Sequence, residues 1–180
     1  IEADCPPEDN WRGHGGFSAL GAECMMQLWL DWHWASTHQH PAKLLRKFDR
    51  GHWDERRLKE YLVKAGFQVA DTDPATGKQI RFSVKGCEFL SGSIDGAVCG
   101  LPELPEGTWA LWECKSMGPS TFNAVKKQGL QKANFKYWTQ CHLYMNQSEG
   151  LKHCLFQAIN ADTQEIYSEI FEIDYDIAQA

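Results

Sequence analysis

Long apolar runs are missing from this 180-residue chain, and none approaches the roughly 20 residues that cross a bilayer. No charged-then-apolar leader is visible either. Both absences lead to the expectation of a cytoplasmic protein outside the membrane. The cysteines lack partners: there are seven, an odd number, with no Cys-x-x-Cys spacing, which argues against a disulfide framework or a zinc ribbon. Cys5, Cys24, Cys87, Cys99, Cys114, Cys141 and Cys154 are therefore expected to be mostly buried thiols in a reducing compartment. Internal repeats and low-complexity tracts are also absent. A chain of this length suits one domain, 1–180, with a substantial core. Pro6-Pro7, Gly13, Gly15 and Gly16 predict an irregular segment over 1–16.

Positive charge is scarce overall, with a net charge of −6, but its distribution is uneven. Residues 43–64 hold eight basic side chains against four acidic ones, and 121–140 hold four lysines and no acid. Each segment carries +4, so the rest of the chain carries −14. Two basic stretches on an acidic body could follow a phosphate backbone, or could be ordinary solvated helix faces.

Periodicity gives the elements. Ser18 is positioned to cap a helix running to about Trp34, with Leu20, Cys24, Leu28 and Trp32 at helical spacing. A second helix is predicted over Ala42–Ala65, with an apolar stripe of Leu44, Leu45, Phe48, Trp53, Leu58, Tyr61 and Leu62 and a stop at Gly66. Its interior Gly51 suggests the close approach of a neighbour. Strands follow at 67–70, 80–84, 88–98 and 109–114, then helices at 119–128 and 133–147. A closing hairpin pairs 154–159 with 166–173 across Asn160-Ala-Asp-Thr. This order predicts an α/β sandwich around one mixed sheet flanked by helices.

Chemistry concentrates in Gly92-Ser93-Ile94-Asp95-Gly96 and in the strand ending Glu113-Cys114-Lys115. Strand alternation points Glu113 and Lys115 to one face and Cys114 to the other. With Asp95 on a neighbouring strand, two carboxylates and an ammonium converge. Carboxylates that close raise one another's pKa, and a divalent cation relieves the conflict. Mg²⁺ takes oxygen ligands, keeps several waters and commonly binds through one or two carboxylates plus a phosphate, so the pattern suits phosphodiester hydrolysis. Glu55, a helix carboxylate, and Gln140 and Tyr144, at i and i+4 on one helix face, complete the set.

Other features carry less. His33, His38 and His40 have no Cys or carboxylate at ligand spacing and read as surface histidines. His52 and His142 adjoin motif residues, but successive helix positions point in different directions, which sets them outside the site. Trp29, Trp32 and Trp34 read as core aromatics.

Taken in order, Ser18-Ala-Leu-Gly-Ala-Glu-Cys, Gly-His-Trp-Asp-Glu55, Ser-Ile-Asp95-Gly, Glu113-Cys-Lys115 and Gln140-x-x-x-Tyr144 resemble the lambda-exonuclease/YqaJ branch of the PD-(D/E)XK nucleases, related to the RecB-type nuclease domain. The resemblance spans nearly the whole chain. One departure is Met26, where phage relatives carry an arginine. A restriction-endonuclease-like core is implied. So is a Mg²⁺-dependent DNA exonuclease, with Mn²⁺ able to substitute, working 5′-to-3′ on linear duplex ends for phage-type recombination. Asp95, Glu113 and the Cys114 carbonyl would hold one metal, and Glu55, sharing Asp95, would support a second. Lys115 would orient or deprotonate the water and neutralise transition-state charge, and Gln140 and Tyr144 would position the site. Arg12, Ser18 and Ser93 resemble a pocket for a terminal 5′ phosphate. The resemblance further implies a toroidal homo-trimer and a single-strand annealing partner. Related nucleases hold an iron–sulfur cluster on four cysteines, but the clustered C-terminal group is missing here, so no cluster is expected. Two alternatives stand beside it: a structure-selective endonuclease, which shares these motifs, and a catalytically silent module that binds DNA ends, whose mark would be the loss of Asp95, Glu113 or Lys115, all three present here.

Overall fold

The computed structural model of the chain describes residues 14–20, 24–33, 35 and 41–179. Strand β1 (Gly15–Gly16) and a 3-10 turn (Phe17–Ala19) lead to helix α1 (Met25–Trp32) and the long helix α2 (Ala42–Lys64). Strands β2 (Gln68–Ala70), β3 (Arg81–Val84), β4 (Cys87–Ser93), β5 (Gly96–Cys99) and β6 (Trp109–Met117) follow. Helices α3 (Pro119–Gln128), α4 (Leu130–Ala133) and α5 (Phe135–Gln147) precede β7 (His153–Asn160), β8 (Ile166–Glu172) and α6 (Tyr175–Gln179). Among the described residues no helix is long and apolar enough to cross a membrane.

The fold is mixed α/β, as expected, but it holds two sheets rather than one. The larger has five strands in the order β2-β5-β6-β7-β8, and the smaller has three in the order β1-β4-β3. Within the larger sheet only β6 and β7 are parallel; the other pairs are antiparallel. The strand expected over 88–98 is two strands, one in each sheet, broken at Ile94–Asp95. Alternation cannot reveal such a break because each half keeps its own period. The Ile94 backbone pairs outside both ladders: its N–H donates to the Ile80 carbonyl at 3.0 Å, and its carbonyl accepts from Gln79 Nε2 at 2.9 Å. Asp95 stands where the chain passes from one sheet to the other.

Period-2 alternation along β6 sorts the core. Ala110, Trp112 and Cys114 pack with Leu58 and Leu62 of α2, whereas Leu111 packs with Phe122, Val125, Cys141 and Met145 of the helices on the other face. Glu113 and Lys115 share the Leu111 side, directed toward α5. Helix α5 starts at Phe135 rather than at the expected 133, because Asn134 Oδ1 accepts from Tyr137 N–H at 3.1 Å, capping α5 and separating it from α4.

Four further expectations fail. Ser18 caps no helix; it lies inside the 3-10 turn without a side-chain cap bond, and Cys24 precedes α1. The buried stripe of α2 is Asp54, Leu58 and Leu62, at i, i+4 and i+8, while Phe48, Trp53 and Tyr61 are 44%, 60% and 43% exposed. Arg56 stacks over Trp53 at 4.9 Å, so that ring is covered by a cation rather than by core. Gly51 accommodates no neighbour, since a Cβ there would meet nothing within 4 Å. Likewise Trp29 is exposed and stacked on His33, while Trp32 meets the edge of Phe89; Trp34, His38 and His40 lie outside the described residues. Of the six described cysteines, all free thiols, Cys99, Cys114, Cys141 and Cys154 are buried.

Candidate active site

A cleft of about 820 Å³ opens between the two sheets and α2. Asp95, Gln140 and Tyr144 line it, together with Glu55 from α2 and Gly92 and Ser93 from the end of β4. Asp95 Oδ2 accepts from the Cys114 N–H at 2.9 Å, which ties the break between sheets to the middle of β6. Lys115 Nζ forms a close ion pair with Glu113 Oε1 and lies 3.9 Å from Asp95 Oδ2. Gln140 Nε2 donates to Glu113 Oε1 at 3.0 Å, and the Tyr144 hydroxyl donates to the Ser93 carbonyl at 2.7 Å. Gly92 permits that last contact, because a Cβ there would sit 2.6 Å from the Tyr144 hydroxyl. Glu113 is buried beneath the cleft rather than lining it, and Lys115 is half-buried beside it, with Tyr137 at 5.4 Å.

The electrostatics are those of a crowded acidic site. Burial, with the charge of Asp95 added, raises the Glu113 carboxyl to about 7 despite Lys115. Burial and Asp95 also raise Glu55. Burial alone would lower the Lys115 ammonium, but Glu113 and Asp95 together hold it well above its usual value. On the opposite face of β6, burial pushes the Cys114 thiol up.

A divalent cation suits this donor set. Glu113 Oε2 and Gln140 Oε1 are buried without hydrogen-bond partners in the protein, which leaves both oxygens open to a cation or a water. The available donors are hard oxygens. Among the described residues no three His, Cys, Asp or Glu side chains form a complete cage. Two carboxylates with water and phosphate filling the shell is the habit of Mg²⁺ rather than of a caged structural metal.

Of the remaining expected residues, Ser18 and Ser93 both line the cleft, whereas Arg12 lies outside the described residues. His52, set aside on sequence, also lines it, because it lies three residues before Glu55 and shares that helix face. His142 is buried away from the cleft, its Nδ1 accepting from the Asp174 N–H at 3.0 Å. Sequence reasoning missed the far wall, which is built by Asp71, Thr72, Gln79, Arg81 and Ser91. Arg81 stands directly opposite Ser93 in the β3–β4 ladder. The basic stretch of α2 is partly committed inside the protein: Arg50 and Arg57 bind Asp54, and Lys59 binds Asp71.

These layers and this cleft are those of a restriction-endonuclease-like fold. Two solved structures show it. The alkaline exonuclease LHK-Exo from Laribacter hongkongensis, solved in complex with dAMP, matches with a TM-score of 0.59 at 17% identity, over 92% of this chain and 80% of its own. A phage-related exonuclease from Haemophilus somnus 129PT matches with a TM-score of 0.55 at 12% identity, over 93% of this chain and 87% of its own. No protein-family model matches the chain, and no curated protein does.

Proposed function

We propose that this protein is a Mg²⁺-dependent deoxyribonuclease that works from the ends of linear duplex DNA, in the 5′-to-3′ direction, for phage-type recombination in the cytoplasm. The observation that carries the proposal is the convergence of Asp95, Glu113 and Lys115 on one cleft of an exonuclease fold. Asp95, Glu113 and the Cys114 carbonyl would hold one cation, with Glu55 supporting a second. Bound there, the metal supplies positive charge that polarises the scissile phosphate and lowers the pKa of the attacking water.

The chain's own groups do the rest. Lys115, kept an ammonium by Glu113 and Asp95, neutralises charge that grows on the phosphate oxygens. Gln140 fixes one oxygen of Glu113 and leaves the other without a protein partner. Tyr144 holds the Ser93 carbonyl, and with it the approach of the chain to Asp95. The dAMP in LHK-Exo is the kind of mononucleotide that stepwise digestion releases, which supports an end-directed reading. The proposal extends to a homo-trimer enclosing the duplex and to an annealing protein that takes up the surviving strand.

The deciding experiment is a Mg²⁺ time course on end-labelled linear duplex beside covalently closed circular duplex. Release of mononucleotides from the linear form alone is expected, whereas nicking of the circle would favour the endonuclease. Ser18, Ser93 and Arg12 add a second expectation: 5′-phosphorylated ends should be digested faster than 5′-hydroxyl ends, with Arg12→Ala removing the difference. Equal wild-type rates on both ends would refute that pocket. Glu55→Ala should lose the weaker metal first, so that its activity recovers in part at high Mn²⁺. Unchanged metal dependence would leave Glu55 a structural residue.

A further inference from the structure

We propose that Asp54, adjacent to Glu55, is a positioning residue that locks the roll of α2 so that Glu55 is presented to the metal site. The inference rests on reading Asp95, Glu113 and Lys115 as a divalent-metal centre. Asp54 and Glu55 are neighbouring carboxylates on α2, but Asp54 is buried whereas Glu55 lines the cleft. Asp54 is 3% exposed, and a buried carboxylate is costly unless it is paired and hydrogen-bonded. It accepts from Ser116 Oγ at 2.7 Å and from Arg50 Nε at 3.4 Å, with Arg57 Nη1 at 3.6 Å. Ser116 directly follows Lys115 on β6, and alternation turns it toward α2 while Lys115 faces the site.

Both arginines carry the lock further. Arg50 Nη2 donates to the Ala161 carbonyl, and Arg57 Nη1 donates to Gln164 Oε1 at 2.8 Å. Gln164 holds the β7–β8 turn at a left-handed φ of 64° and donates from Nε2 to the Asn160 and Ala161 carbonyls. The turn is fastened to β6 in its own right, because the Ala161 N–H donates to the Met117 carbonyl at 2.7 Å. Helix, strand end and turn thus meet at one carboxylate.

Geometry explains why this matters for Glu55. Successive helix residues are about 100° apart, and side-chain ends lie about 5–6 Å from the axis. A roll of about 20° would therefore carry the Glu55 carboxyl about 2 Å, while metal–ligand distances hold to about 0.2 Å. Leu58 and Leu62 seat the helix on the sheet, but apolar packing is non-directional and leaves roll loosely defined. The directed bond from Asp54 to Ser116 supplies the missing constraint.

The test is a calorimetric Mn²⁺ titration, alongside cleavage against Mg²⁺ concentration, for wild type, Asp54→Ala, Glu55→Ala and the double variant. Asp54→Ala should weaken the weaker Mn²⁺ site about tenfold, the usual scale for groups that orient ligands, and should leave the tighter site unchanged. In the Glu55→Ala background it should add nothing, because it acts through Glu55. Asp54→Asn, which keeps an acceptor for Ser116, should fall between Asp54→Ala and wild type. Should Asp54→Ala fail to fold by circular dichroism, Ser116→Ala carries the test, with the same direction at about threefold. Unchanged Mn²⁺ binding with only a lower Tm would overturn the proposal, as would an equal loss in the Glu55→Ala background. A wild-type protein that binds no Mn²⁺ would instead overturn the metal-centre reading beneath it.

Discussion

Lys115→Ala and Glu113→Gln are each expected to slow cleavage of linear duplex by about 10²-fold or more, with the fold retained. In the proposed mechanism both groups would act where charge develops in the transition state, and removing one such group commonly has that effect. Lys115 is held by Glu113 and lies 3.9 Å from Asp95, so its charge sits beside both carboxylates. Without it the Glu113 carboxyl, already raised to about 7, takes up a proton rather than unfolding the core. Circular dichroism and the melting curve should therefore stay cooperative while single-turnover cleavage collapses. Activity within a few-fold of wild type in saturating Mg²⁺ would sink the assignment.

Metal removal is expected to have the other large effect. EDTA should abolish turnover and Mg²⁺ or Mn²⁺ restore it, whereas Ca²⁺ should support DNA binding with little cleavage because its coordination is longer and looser. Stability gives a readout independent of activity. Glu113 holds its proton more tightly folded than unfolded, about 7 against 4.5. Its contribution is thus most favourable below pH 4.5 and is lost as pH rises toward 7. Above 7 the full penalty applies, offset in part by the ion pair with Lys115. In EDTA at pH 8, Glu113→Gln should accordingly melt higher than wild type, and the difference should close as pH falls toward 5. Mg²⁺ should raise the wild-type Tm but not that of the variant. An identical Tm for both proteins at pH 8, with and without Mg²⁺, would count against a charged Glu113 at the site.

The amino-acid order alone determined the local elements and the small constellation close in sequence. Glu113 and Lys115 share a face because a strand alternates, Pro119 starts a helix because it needs no N–H partner there, and Gln140 and Tyr144 align because they are one helical turn apart. Tertiary structure decided what depends on contacts between distant segments. The residues over 88–98 read as one strand, yet they divide between two sheets at Asp95, since pairing partners rather than local pattern fix where a sheet ends. The far wall of the cleft was hidden for a related reason. Extending the register from the Val84–Cys87 pair would set Arg81 against Leu90, but an irregularity between Ser83 and Val84 brings it opposite Ser93. On α2, periodicity marked a broad apolar stripe, whereas the buried face is narrow and begins with a carboxylate. Asp54 could be buried only because Ser116, Arg50 and Arg57 meet it there. Arg50 and Arg57 stand at i−4 and i+3 on the same helix, a spacing the chain does encode, whereas Ser116 lies 62 residues away and is brought to Asp54 by the fold alone.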